Sequence, residues 1–189
     1  TTWPAGHRDA SSSDYVPLVM SRENRLVRHL LQGHPIFWPP IAGPEGHFYV
    51  TSGKGEGHSN LHAFDSRGEL LWQAAAQSSP ADLDGYAIIN APAVSRNGDV
   101  YVGDRNQLWA FHPDGNVKWV ADLARHGVDW GFMSAVISRQ GYVGGISSEG
   151  RVLFFHPETG ELAIPPLDLP GGAGPPAEDT PPGSLWQDL

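Results

Sequence analysis

The chain contains no cysteine, which excludes disulfides within it, cysteine-ligated zinc or iron–sulfur centres, thiol nucleophiles and covalent haem attachment through a CxxCH segment. It is also poor in positive charge. Twelve Lys and Arg stand against 21 Asp and Glu, a formal net charge of −9 with the nine histidines neutral, and no basic cluster offers the phosphate contacts that nucleic-acid binding draws on. No apolar run approaches the ~20 residues needed to span a bilayer, so no membrane span is expected. Charged residues make up only 17% of the chain, well below the usual ~25%, which argues against long solvated helices. What is abundant is the opposite: 23 glycines and 17 prolines in 189 residues call for frequent turns.

Those turns recur in register. Asn60 to Trp72 reads NLHAFDSRGELLW, Gln107 to Trp119 reads QLWAFHPDGNVKW, and Arg151 to Ile164 reads RVLFFHPETGELAI. Each is an apolar strand, a tight polar turn ending in Gly, and a second apolar strand. The turn glycines Gly68, Gly115 and Gly160 lie 47 and 45 residues apart, close to the ~40 to 50 residues of a four-stranded propeller blade. Pro113 presets φ for a type I turn, and Gly115 can take the positive φ of the bulge that follows. Upstream of each lies a further hairpin, at Pro40 to Val50, Pro92 to Val102 and Ala135 to Val143. Two hairpins per repeat make a four-stranded meander, with strands A to D from the inside outwards. The residues alternate rather than following a 3.6 period, which argues against an α-solenoid.

The C-to-D hairpins resemble the quinoprotein-type (PQQ-like) β-propeller repeat, in which a Leu-Tyr-Ala-Leu-Asp strand leads into a Thr-Gly turn with a Trp a few residues on. Leu61, Ala63, Phe64, Asp65, Gly68 and Trp72 match this pattern; so do Leu108, Ala110, Phe111, Gly115 and Trp119, with His112 in place of the Asp. The third copy keeps Thr159 and Gly160 but has Ile164 where Trp is expected. The opening Trp3 to Pro17 is similar to the lead-in of such domains. The expected fold is therefore all-β, a propeller of four-stranded antiparallel blades with about three blades in this chain.

The expected divisions are a lead-in and closing strand at 1–33, blades at 34–73, 74–120 and 121–164, and a Pro/Gly-rich linker or processed tail at 165–189. Residues 22–33 fit either the outer strand of a closing blade or a short amphipathic helix. Three blades do not close a circle, so the expected partner is a second chain carrying the remaining blades, the whole being a hetero-oligomer. An N-terminus without Met or an apolar leader reads as a processed chain, and the resemblance implies a periplasmic or secreted setting.

A binding face can also be chosen from loop lengths. The A-to-B and C-to-D turns are tight, whereas the connections at 74–90, 121–133 and 51–60 are long, and long loops in compact domains carry function. Residues just ahead of each innermost strand point toward the central channel. They offer His34, Asp84, Tyr86 and Asp129 as acid–base candidates, with Asp82 nearby, and Trp38, Asn90 and Trp130 as binding groups, to which the loop at 51–60 adds His58. Aromatic walls with a few polar groups suit a small molecule or saccharide, and the oxygen donors would equally suit Ca²⁺. Bland roles compete for other residues: Trp72 and Trp119 as packing between blades, Asp65 as a turn cap, His112 and His156 as turn residues.

The resemblance further implies a quinone-dependent alcohol or sugar dehydrogenase. Such enzymes hold PQQ between a tryptophan and a ring formed by adjacent cysteines, with Ca²⁺ bound through Glu, Asn and Asp and an Asp as base. Without Cys, a recognisable cofactor segment or half the blades, this chain is not expected to hold PQQ alone. The readings are thus a ligand-binding propeller part, an enzyme subunit if His and carboxylate groups do acid–base chemistry there; a noncatalytic interaction platform, similar to the outer-membrane assembly lipoprotein; or a fragment of a PQQ-dependent dehydrogenase.

Overall fold

The computed structural model describes residues 29–54, 59–74, 91–103, 106–128 and 135–170. Among these, alternation and turn chemistry produce three antiparallel four-stranded sheets. The first holds β1 (Ile41–Ala42), β2 (Phe48–Thr51), β3 (Leu61–Phe64) and β4 (Leu70–Gln73). The second holds β5 (Ala93–Val94), β6 (Val100–Gly103), β7 (Gln107–Phe111) and β8 (Val117–Asp122). The third holds β9 (Val136–Ile137), β10 (Val143–Ile146), β11 (Arg151–Phe155) and β12 (Leu167–Asp168). Each sheet is a meander in chain order, and the innermost strands β1 and β5 touch. The arrangement is a partial β-propeller of about three blades. No helix among the described residues is long and apolar enough to cross a membrane.

The middle blade shows why the repeat must stack. In a strand, successive side chains point to opposite faces, yet every residue of β6 and nearly every one of β7 is buried. Val100, Val102, Trp109 and Phe111 pack toward Ile41, Tyr49, Leu61 and Ala63 of the first blade. Tyr101, Leu108 and Ala110 pack the other way, against Val143, Leu153 and Phe155 of the third. Each large side chain so buried stabilises the stack by roughly 1.5–3 kcal/mol.

The C-to-D turns differ in chemistry but close alike. The Asp65 carboxylate accepts from the amides of Arg67 and Glu69, both at 2.8 Å. Asp114 accepts from the amide and side chain of Asn116 at 3.0 and 2.8 Å, which holds its carboxyl below the usual range. Thr159 takes the same role for Glu161 at 3.2 Å. A bulge follows in the first two hairpins, as the register slips between Ala63 and Phe64 and between Ala110 and Phe111.

Two sequence expectations change. The third blade does not end at Ile164: Leu162 bridges Phe155, Ala163 donates to the Phe154 carbonyl, and after Pro165 and Pro166 the chain pairs again as β12. Proline lacks an N–H and is tolerated on an edge strand, so the pair interrupts the strand without ending it. Arg151 then closes the edge on Asp168 with two contacts of 2.6 and 2.9 Å, so the sheet extends into the stretch read as linker. Nor is the connection at 121–133 wholly a loop. β8 runs to Asp122, a 3-10 turn covers Ala124–His126, and Leu123 and Val128 are fully buried. Apolar residues at both ends of that turn pull it onto the core.

The alternative of strand or helix at 22–33 falls mostly outside the described residues. Its described end is a turn, in which the His34 amide donates to the Leu31 carbonyl at 3.0 Å.

Candidate functional site

The long-loop end of the first blade carries a cluster of polar side chains. The stretch before β1 is pinned there by the Gly53 amide, which donates to the Pro35 carbonyl at 2.8 Å. This seats the half-buried His34 over the blade, with Nδ1 3.2 Å from the Ser52 hydroxyl. Ser52 follows β2 and Asn60 precedes β3; the Ser52 amide donates to the Asn60 carbonyl at 2.8 Å, which extends the ladder past both strands. The Asn60 side-chain oxygen accepts from the Lys54 amide at 3.0 Å and lies 3.5 Å from the Ser52 hydroxyl. A buried amide is thus used to hold the start of the B-to-C loop.

His62 completes the group. In β3 the alternation sends Leu61 and Ala63 into the core with the second blade, so His62 and Phe64 face the other way. The two rings stack at 6.4 Å, and the His34 ring meets His62 edge-on at 5.4 Å and 82°. His62 is 2% exposed and its Nδ1 has no hydrogen-bond partner among the described residues. Burial, followed by the neighbouring His34, pushes the imidazole down to about 4, against the pull of the Val50 carbonyl. At neutral pH His62 is uncharged. Chemically, the cluster presents one imidazole, His34, at the surface, oriented by a hydroxyl behind it and a neutral imidazole beside it. Ser52 is fully buried, so its hydroxyl orients His34 and is not open to attack a substrate.

Of the residues nominated from sequence, His34 and Trp38 are described. His34 joins the cluster; Trp38 is exposed at the end of an apolar run with Ile36 and Phe37. His58, Asp82, Asp84, Tyr86, Asn90, Asp129 and Trp130 lie outside the described residues. Sequence reasoning missed Ser52, Asn60 and His62. The signal for His62 was present, since it is the polar member of an otherwise apolar strand, Leu61–Phe64.

The described donors do not match the cofactors that the repeat implies. No group of three His, Cys, Asp or Glu able to hold a metal occurs among the described residues. The hydroxyl and amide oxygens of Ser52 and Asn60 are engaged with each other and with Lys54, and no carboxylate joins them. That set does not fit the six to eight oxygens Ca²⁺ takes. A ring of adjacent cysteines for PQQ has no counterpart.

Comparison with known proteins bears on the fold. No family model matches the chain, and no curated protein does. Among solved structures it is similar to the quinohemoprotein alcohol dehydrogenase of Comamonas testosteroni, with a TM-score of 0.54 and 20% identity over 86% of this chain and 26% of that one. It is similar also to the quinohemoprotein alcohol dehydrogenase ADHIIG of Pseudomonas putida HK5, with a TM-score of 0.56 and 22% identity over 86% and 26%. A europium-containing methanol dehydrogenase gives a TM-score of 0.56 and 18% identity over 86% and 31%. The chain shares the β-propeller fold of these structures, as a partial propeller of about three blades. At these identities the likeness is one of fold, and this chain spans between a quarter and a third of the length of those chains.

Proposed function

We propose that the chain is one part of a quinoprotein-type propeller that binds a small polar ligand, a small molecule or saccharide, at the channel mouth of its long-loop face. His34 is the group that hydrogen-bonds the ligand and exchanges protons with it. The observation that carries this reading is His34 itself, a half-buried imidazole oriented by the buried Ser52 and His62 in the segment that leads into the innermost strand. Asp84, Tyr86 and Asp129 are proposed as its acid–base companions, with Trp38, Asn90, Trp130 and His58 as binding groups. Ca²⁺ on such carboxylates would supply Lewis acidity, and a quinone would supply redox chemistry; the described cluster fits neither, so its role is to orient.

The other blades are proposed to come from a second chain, in the periplasm or outside the cell. Large apolar side chains are exposed at both ends of the three-blade arc, with Phe37 64% exposed at one and Leu167 58% exposed at the other. That exposure is what an unfinished stack presents.

The reading is tested by native mass spectrometry of the protein as purified, followed by titration with a panel of monosaccharides and short alcohols. The expected results are a native mass above the 20.4 kDa of this chain, and binding that weakens at least tenfold in His34→Gln. A native mass equal to this chain alone overturns the second chain. Binding unchanged by His34→Gln overturns the site.

A further inference from the structure

The face opposite His34, where the tight turns lie, opens onto a cavity of about 770 Å³ bounded by the innermost strands of all three blades. We propose that this cavity is a second binding site, for a small organic anion bearing carboxylate or phosphate groups on an apolar frame, and that Arg96 and Arg139 recognise its oxyanions.

Both arginines line the cavity, and they occupy the same position in successive blades. One lies in Ser95–Gly98, between β5 and β6; the other lies in Ser138–Gly141, between β9 and β10. The turns that carry them are locked identically. Gly98 donates to the Ser95 carbonyl at 3.0 Å and Gly141 to that of Ser138 at 2.9 Å. The two serine hydroxyls accept from the amides of Asp99 and Tyr142 at 3.0 and 3.1 Å. A rigid turn fixes where each guanidinium starts, which reduces the ordering cost of binding. In the first blade Pro44 takes this position and brings no charge.

The charges around the cavity leave these two cations unused. Its carboxylates, Asp99 and Glu158, are both held by Lys118, at 2.8 and 2.9 Å. Tyr101 stays protonated beside them, its phenol pushed up by burial and by Asp99 and Glu158. No hydrogen bond or ion pair engages the side chain of Arg96 or Arg139 among the described residues. In a chain of net charge −9, two cations without an acidic partner among the described residues thus sit at one mouth. Guanidinium groups match carboxylate and phosphate in a two-pronged fashion. Ala42, Val94 and Val136 supply the apolar wall, and the volume falls in the range of small-molecule pockets, roughly 300–1,000 Å³.

Isothermal titration of the full chain with isophthalate, phenyl phosphate and the neutral isophthalamide tests the site. We expect one of the two anions to bind, isophthalate if the natural ligand is a carboxylate and phenyl phosphate if it is a phosphate ester. Isophthalamide should bind at least tenfold more weakly than isophthalate, or not at all. The double variant R96Q/R139Q should lose at least tenfold, and His34→Gln should bind as the parent does, so this result stands apart from the test of the other face. Each single variant should lose several-fold, which keeps the test valid if the double variant unfolds. Absence of binding by both anions, equal binding of the amide, or binding unchanged in the variants overturns the proposal.

Discussion

The indole Nε1–H of Trp72 donates to the carbonyl of Pro113, 41 residues on and in the next blade, at 2.8 Å. The same contact recurs between Trp119 and Pro157, also at 2.8 Å. In both places the ring lies over the turn glycine. A Cβ on Gly115 would come within 2.7 Å of Trp72, and one on Gly160 within 2.8 Å of Trp119. Each glycine therefore serves twice, once for its positive φ and once for the absence of a side chain beneath the indole.

Gly115→Ala is accordingly expected to cost about 2–4 kcal/mol, from a backbone at φ 88° that Ala adopts poorly and from displacement of the indole. In a Trp72→Ala background the same change should cost only the backbone part, about 1–2 kcal/mol. Urea unfolding of the four proteins of this cycle measures the difference. Equal costs in both backgrounds would show that the indole does not rest on the turn.

His62 links stability to acidity. Its folded pKa of about 4 lies below the ordinary 6.5, so the unfolded chain takes up a proton first as pH falls. The stability this buried neutral ring contributes is complete above pH 6.5. It is lost progressively down to pH 4, by about 3 kcal/mol in all. His62→Gln should remove this share of the slope between pH 6.5 and 4, read from urea midpoints across that range. A parent protein whose midpoint is flat there would contradict the burial of His62.

Lys118 joins two blades unequally. Burial draws its ammonium down, and the hydrogen bonds to Asp99 and Glu158 outweigh this and raise it. Asp99 is 10% exposed and Glu158 71%. Lys118→Met strands Asp99 beside Tyr101 and should cost about 2–3 kcal/mol, somewhat less than for a fully buried pair. Glu158→Gln should cost under about 1 kcal/mol, because its carboxylate is well solvated. Thermal melts of both variants check the order, and equal losses would place the stabilisation in the contact between blades.

The blades were legible because their determinants are local or periodic. Glycine turns, strand alternation and the recurring Trp72 and Trp119 define a meander whichever neighbours it has, and a meander that is apolar on both faces must stack. The strand ends were less so. Pro165 and Pro166 read as a terminator, yet β12 forms beyond them because Arg151 and the edge of β11 offer partners that no local pattern announces. The site shows the same division. His34 was found from its place before an innermost strand, but Ser52 and Asn60 flank β2 and β3 and His62 lies within β3, and nothing in their spacing from His34 says that they meet it. Nor does the sequence show that Asp99 and Glu158 are both taken up by Lys118 while Arg96 and Arg139 have no acidic partner among the described residues. Sequence alone determined the repeat, because hydrogen-bonded turns and period-two burial act over a few residues. Only the tertiary structure decided which polar groups are buried, paired or free at the two mouths, because burial and Coulomb interactions depend on distances between blades.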